Sequence, residues 1–195
     1  MSTLSIEHLS VSAGEKQLLS DISLTLQSGE MHILMGPNGS GKSSLLNALM
    51  GHPRYTITEG KMVLDGEEIT SLSTEKKAKL GLFLSLQHLP EIAGVTLTNF
   101  LHRAAKEVKG STQGPLEFYR ASEAKAKEAG IDPVFLKKHV NTGLSGGEKK
   151  QSEVLQLLIL EPKFAFLDEI DSGVDVDAMK KVYAGIERLR ASGMG

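Results

Sequence analysis

One glycine-rich stretch constrains this chain more than any other. Gly36-Pro37-Asn38-Gly39-Ser40-Gly41-Lys42-Ser43-Ser44 follows the apolar run Met31-His32-Ile33-Leu34-Met35 and leads into a helix-like segment from Ser43 to Met50. Its first eight residues obey G-x-x-x-x-G-K-[ST], and between a buried strand and a helix that pattern is a phosphate-binding loop. The glycines let successive backbone N–H groups turn toward an anion, and the helix start adds its positive end. In this arrangement Lys42 reaches the β- and γ-phosphates of a nucleoside triphosphate, and the Ser43 hydroxyl ligates Mg²⁺.

The rest of the chain alternates strand and helix character, as an α/β fold requires. Leu4 to Val11 and Leu18 to Leu26 predict strands joined at Ala13-Gly14-Glu15, and Lys61 to Ile69 predicts a hairpin turning at Asp65-Gly66. Met31 to Met35 and Leu82 to Leu86 predict short buried strands. From residue 87 to 141 the texture becomes helical: Thr96 to Val108, Pro115 to Ala129, and Pro133 to His139, the last capped by Asp132. Then come a helix from Ser145 to Leu160, a strand from Phe164 to Leu167, and a helix from Ala178 to Arg190 with Met179, Val182, Tyr183, Ile186 and Leu189 on one face. The expectation is a single domain over 1–195, with a nucleotide-binding α/β core at 1–86 and 142–195 and a helical subdomain at 87–141.

Composition excludes several functions. Lys plus Arg number 22 against 24 Asp plus Glu, a formal charge of −2 with no long basic run, which disfavours nucleic acid as a ligand. No apolar stretch approaches the roughly 18–20 residues of a spanning helix, so direct membrane insertion is not expected. There is no Cys, hence no disulfide framework or thiolate metal site, and a cytoplasmic setting is expected. The six His lack metal-ligand spacing, and Lys76-Lys77-Ala78-Lys79 and Lys149-Lys150 suit solvated helix faces. No N-K-x-D motif is present, which disfavours GTP hydrolysis.

Two further segments carry chemistry. Phe164-Ala165-Phe166-Leu167-Asp168-Glu169 is an apolar strand ending in two carboxylates. Asp168 there can hold Mg²⁺ through water, while Glu169 faces the γ-phosphate and orients or deprotonates the attacking water. Leu144-Ser145-Gly146-Gly147-Glu148 opens a helix with free N–H groups and makes a second anion site, or an ordinary capping box of Ser145 with Glu148. One nucleotide does not need two such sites for a single γ-phosphate. The economical arrangement is two chains head to tail, each offering Ser145, Gly146 and Gly147 to the nucleotide held by the other.

Together these residues resemble the ABC-type ATPases, P-loop NTPases with a mixed β core, N-terminal antiparallel strands and an inserted helical subdomain. The loop at Gly36 to Ser43 is similar to their Walker A motif, Leu144 to Glu148 to their signature (which usually ends in Gln), and Phe164 to Glu169 to their Walker B motif. The resemblance implies that Gln87 contacts Mg²⁺ and senses partners, and that Asp175, in Ser172-Gly173-Val174-Asp175, communicates across a transient ATP-dependent homodimer. It makes ATP and Mg²⁺ the expected ligands. Within the family, Leu84 to Thr96 and the stretch from Leu144 through Ala178 are similar to the SufC ATPases of iron–sulfur cluster assembly, which implies a SufB/SufD-type scaffold as partner. Ile170 and Gln151 depart from that subfamily, which usually has Thr and Arg there, and no aromatic stands at Val11-Ser12-Ala13-Gly14 to stack on adenine.

In relatives the switch histidine normally lies on a strand about 30 residues beyond the Walker B glutamate, whereas 26 residues separate Glu169 from Gly195, so that histidine and C-terminal strand are expected to be missing from this sequence. Three activities remain open: an ATPase of cytosolic iron–sulfur assembly, the ATP-binding subunit of an ABC membrane transporter, and a nucleotide-binding module impaired in hydrolysis.

Overall fold

The computed structural model describes residues 1–86, 89–170 and 176–195, which form two compact units. The first comprises Met1–Leu84, Pro162–Asp168 and Ser192–Gly195. It is built on a four-stranded antiparallel sheet ordered β2-β1-β3-β4, where β1 is Thr3–Ala13, β2 Lys16–Gln27, β3 Thr56–Leu64 and β4 Glu67–Glu68. The sequence dictates a kink in β1. Leu4 and Ile6 alternate inward, but the next apolar residue is Leu9, an odd step that would point it to solvent in a regular strand. A bulge restores the face: the register shifts between Ile6 and Leu9, His8 adopts φ 52°, and Leu4, Ile6, Leu9 and Val11 are all buried. Gly60 on β3 lies against the bulge at φ +80°, where a Cβ would stand 2.4 Å from the carbonyl oxygens of Glu7 and His8. The predicted β3–β4 turn is present, with Asp65 and Gly66 both at positive φ.

Against this sheet packs α1 (Lys42–Leu49), burying Leu45, Leu46 and Leu49 in one cluster with Met62, Leu64, Leu82, Phe164 and Phe166. The C-terminal end of α1 is held by α2 (Thr74–Lys79). Lys77 of α2 is fully buried, and its Nζ donates to Leu49 O at 2.8 Å and lies 3.9 Å from Met62 Sδ, while Thr74 Oγ1 donates to Gly51 O. Lys77 is therefore not on a solvated face, contrary to the charge-run expectation, and Lys150 is likewise buried and paired with Glu153. A basic run says nothing of which lysine turns inward once a helix docks on a neighbour's carbonyls.

Met31 to Met35 forms no strand. The described strands pair as the sheet above, as β5 (Leu82–Ser85) with β8 (Phe164–Leu167), and as a ribbon of β6 (Ile92–Thr96) with β7 (His139–Val140). The run belongs to none of them, and Met31, Ile33, Leu34 and Met35 are exposed. The second side of β8 is taken by another segment. Beside β5, the backbone partner of β8 is Gly195, whose N–H donates to Lys163 O and whose carbonyl accepts from Ala165 N–H, each at 2.9 Å. Apolar composition sets an appetite for burial, not a ladder partner.

The second unit, Ser85–Glu161 with Glu169–Ala191, is mainly helical. α3 (Leu97–Lys109), α4 (Pro115–Glu128), α5 (Gly146–Leu160) and α6 (Val176–Ala191) bury Leu101, Phe118, Leu136, Val154, Leu155 and Ile186. α6 approaches α5 closely at Gly185, where a Cβ would meet Val154 Cγ1 at 2.4 Å. Of its expected apolar face, Val182, Ile186 and Leu189 are buried, but Tyr183 is exposed. The segment Pro133–Lys137 is a 3-10 turn rather than an α-helix, capped as expected by Asp132, whose Oδ1 accepts from Val134 N–H at 2.9 Å. It stops because Lys138 and His139 turn extended into β7, pairing with β6. Glu161, in the left-handed region at φ 46°, ends α5 and draws in Lys109 and Lys125 from α3 and α4. Among the described residues no helix is long and apolar enough to cross a membrane.

Candidate functional site

In the first unit, Gly36 to Ser40 stand exposed ahead of α1. The helix begins at Lys42 behind Gly41, which holds φ 96° and offers no side-chain cap, and its first turn has no acidic residue. Its leading N–H groups are thus left for an external acceptor. Gly41 is required by its left-handed backbone, and both it and Gly36 sit close to neighbouring side chains. A Cβ on Gly41 would sit 2.6 Å from Leu19 Cδ2, and one on Gly36 would sit 2.8 Å from Ser40 Oγ. The Lys42 ammonium folds back over the loop, donating to Gly36 O at 2.8 Å and Pro37 O at 3.1 Å. A cation held by two neutral carbonyls, at the mouth of an uncapped helix start, suits a polyanion.

Asp168 directly follows β8 in the same unit. It is only 7% exposed, and its carboxylate has no hydrogen-bond or ion-pair partner among the described residues. A carboxylate oxygen pair is the donor chemistry a magnesium site needs. Ser43 and Ser44, half-buried in the first turn of α1, supply hydroxyls. The residues of this unit therefore fit a magnesium-bound triphosphate. No cluster of three His, Asp or Glu that could hold a metal by itself occurs among the described residues.

In the second unit, Ser145 caps α5. Its Oγ accepts from Glu148 N–H at 3.3 Å and its own N–H donates to Glu148 Oε2 at 2.8 Å, the capping box expected from sequence. Ser145 and Gly146 are exposed. The other oxygen of Glu148 receives Lys138 Nζ at 2.8 Å, and this ammonium, with the two Ser145 donors, pulls the Glu148 carboxyl down to about 2. The neighbouring Lys149 pairs with Glu91 at 2.8 Å. Neither Lys138 nor Glu91 was singled out from sequence. The available signal was a carboxylate in the first turn of an anion-binding helix, which demands a countercharge somewhere. Glu169 opens the second unit's last segment in the left-handed region, at φ 49°. Gln87 and Asp175 lie outside the described residues.

Comparison with known proteins agrees with this architecture. A family model described as "ABC transporter" matches residues 19–172. "Vegetative protein 296" of Bacillus subtilis (strain 168) is 43% identical over 196 residues, spanning all of this chain and 75% of that protein. A "Probable ABC transporter ATP-binding protein" of Streptococcus pyogenes serotype M3 is 44% identical over 197 residues, spanning all of this chain and 77% of that protein. A "Probable ATP-dependent transporter" of Pyropia yezoensis is 41% identical over 194 residues, with 97% and 77% covered. Among solved structures, an ATP-binding subunit of an ABC transporter superposes with a TM-score of 0.82 at 22% identity, covering 98% of this chain and 76% of that one. A dimeric bacterial ABC transporter cassette gives 0.82 at 21% identity, with 98% and 84% covered. At those identities the structures speak to the fold alone. With the phosphate loop, the buried Asp168 and the sequence relatives all in accord, the chain belongs to the ABC transporter family of ATP-binding domains.

Proposed function

We propose that this chain is the ATP-binding and ATP-hydrolysing subunit of an ABC-type assembly, and that ATP draws two copies together head to tail. The observation that carries the reading is the uncapped start of α1 behind Gly41, with the Lys42 ammonium resting on loop carbonyls. Gly36 to Ser44 would wrap the phosphates, Lys42 moving from its carbonyls onto the β- and γ-phosphates. Ser43, Asp168 and Gln87 would hold Mg²⁺, which when bound neutralises charge developing on the phosphoryl oxygens. Glu169 would take the proton of the attacking water. Ser145, Gly146 and Gly147 would meet the γ-phosphate held by the other copy, with Asp175 at the same junction.

The names of the relatives support a membrane transporter as the machine this subunit drives. A second reading, an iron–sulfur assembly ATPase acting on a SufB/SufD-type scaffold, is supported by the residues from Leu84 to Thr96 and from Leu144 to Ala178. Binding of a fluorescent ATP analogue tests the shared core: Lys42→Ala should weaken it at least about tenfold, and unchanged affinity would refute the phosphate-loop role. Affinity purification from the native host separates the two machines. Polytopic membrane subunits would establish the transporter, and a soluble cluster-carrying scaffold would establish the second reading.

A further inference from the structure

An anion-binding helix start is poorly served by a carboxylate in its first turn, yet α5 has Glu148 there. The capping box explains its presence, since Glu148 Oε2 accepts Ser145 N–H at 2.8 Å and fixes the turn that presents Ser145, Gly146 and Gly147. The geometry also shows how the charge is answered. Lys138 Nζ lies 2.8 Å from Glu148 Oε1 and 5.1 Å from the centre of the Phe135 ring. Its backbone is pinned as well, its N–H donating to Phe135 O at 3.2 Å and its carbonyl accepting Leu97 N–H at 2.9 Å.

The next two charges of α5 are balanced in the same way, Lys149 by Glu91 at 2.8 Å and Lys150 by Glu153 at 3.3 Å. What remains at the tip is the field of the backbone N–H groups. We propose that Lys138 is a positioning residue that cancels the Glu148 charge, so that one carboxylate can shape the tip of α5 without repelling the phosphate that tip receives. This rests on the reading that Ser145 to Gly147 meet the nucleotide of a second copy.

A simple staple and a countercharge predict different patterns. If the pair only cross-links, losing either partner harms equally. If Lys138 cancels charge, Lys138→Met bares the carboxylate and harms, whereas Glu148→Gln keeps a capping oxygen and leaves the Lys138 charge uncompensated, in favour of the phosphate. The test is sedimentation velocity of the full chain with Mg²⁺ and a non-hydrolysable ATP analogue, at 50 and 300 mM NaCl, beside binding of the fluorescent analogue to the monomer. Lys138→Met should raise the analogue concentration for half-maximal dimerisation about tenfold at low salt and less at high salt, with monomer binding unaltered. Glu148→Gln should lower that concentration by about two- to threefold, and the double variant should return to within about twofold of wild type. Equal losses in both single variants without recovery in the double, or no change in any, would overturn the proposal alone. A wild type that binds nucleotide but does not dimerise would overturn the head-to-tail reading along with it. A wild type that binds no nucleotide would overturn the phosphate-loop reading too.

Discussion

Replacing Lys77 by methionine isolates the energetics of the clamp at the far end of the phosphate-loop helix. The ammonium is fully enclosed with Leu49 O as its hydrogen-bond acceptor, and burial pulls its pKa from 10.5 down to about 8. The folded value lies below the unfolded one, so between them the unfolded chain binds more protons and stability must rise with pH. The drop of about 2.5, at about 1.4 kcal/mol each, makes the charged form cost roughly 3 kcal/mol below pH 8. Of that, about 2 kcal/mol is recovered between pH 8 and pH 10. Methionine keeps the length and the apolar stem, removes the titration, and loses a hydrogen bond worth about 1 kcal/mol. The variant should therefore be more stable than wild type by about 2 kcal/mol at pH 7, and the two should converge near pH 10. Paired urea titrations followed by far-UV circular dichroism at pH 7, 8, 9 and 10 read this directly, because every other titrating group is common to both proteins. A gap that stays constant over that range would refute the reasoning, since it would mean that Lys77 keeps its proton with full hydration.

Other substitutions probe the remaining links. Glu169→Gln should slow steady-state ATP hydrolysis by about 10²-fold or more, and equal rates would remove Glu169 from the chemistry. Gly41→Ala puts a Cβ 2.6 Å from Leu19 Cδ2 at φ 96°. It should lower the urea midpoint by an amount equivalent to roughly 1–3 kcal/mol and weaken nucleotide binding, and a variant matching wild type in both would disprove the requirement for glycine. Leu136→Ala empties a fully buried position of the helical unit and should cost about 2–5 kcal/mol in the same titration, with a cost under about 1 kcal/mol contradicting its place in the core.

Where the sequence spoke clearly, it spoke through local rules. The loop ahead of α1, the Asp65-Gly66 turn, the Asp132 cap and the Ser145–Glu148 box each depend on residues within a few positions of one another, and each is present. The bulge at His8 was not read from the strand expected at Leu4 to Val11, although the odd step from Ile6 to Leu9 fits it once the register is known. What could not be read depends on distant partners. Lys77 is indistinguishable from Lys76 until α2 meets the carbonyls of α1. The pairing of β6 with β7 joins segments some 40 residues apart, and the two-residue β7 leaves no periodicity to detect. Met31 to Met35 failed in the opposite direction: its composition is that of a strand, but strand formation is a property of two segments, not one.

That exposed run bears on how the protein behaves at working concentrations. Met31, Ile33, Leu34 and Met35 are 54%, 77%, 42% and 88% exposed, in a stretch with no proline and no formal charge beyond its Glu30 boundary. An open apolar segment templates strand addition and is sticky. Two kinds of self-association would then coexist, one specific and dependent on ATP, the other colloidal and growing with protein concentration and salt. Light scattering before and after removal of nucleotide sorts them, and the particles that persist without nucleotide are the ones a single charged substitution at Ile33 should dissolve.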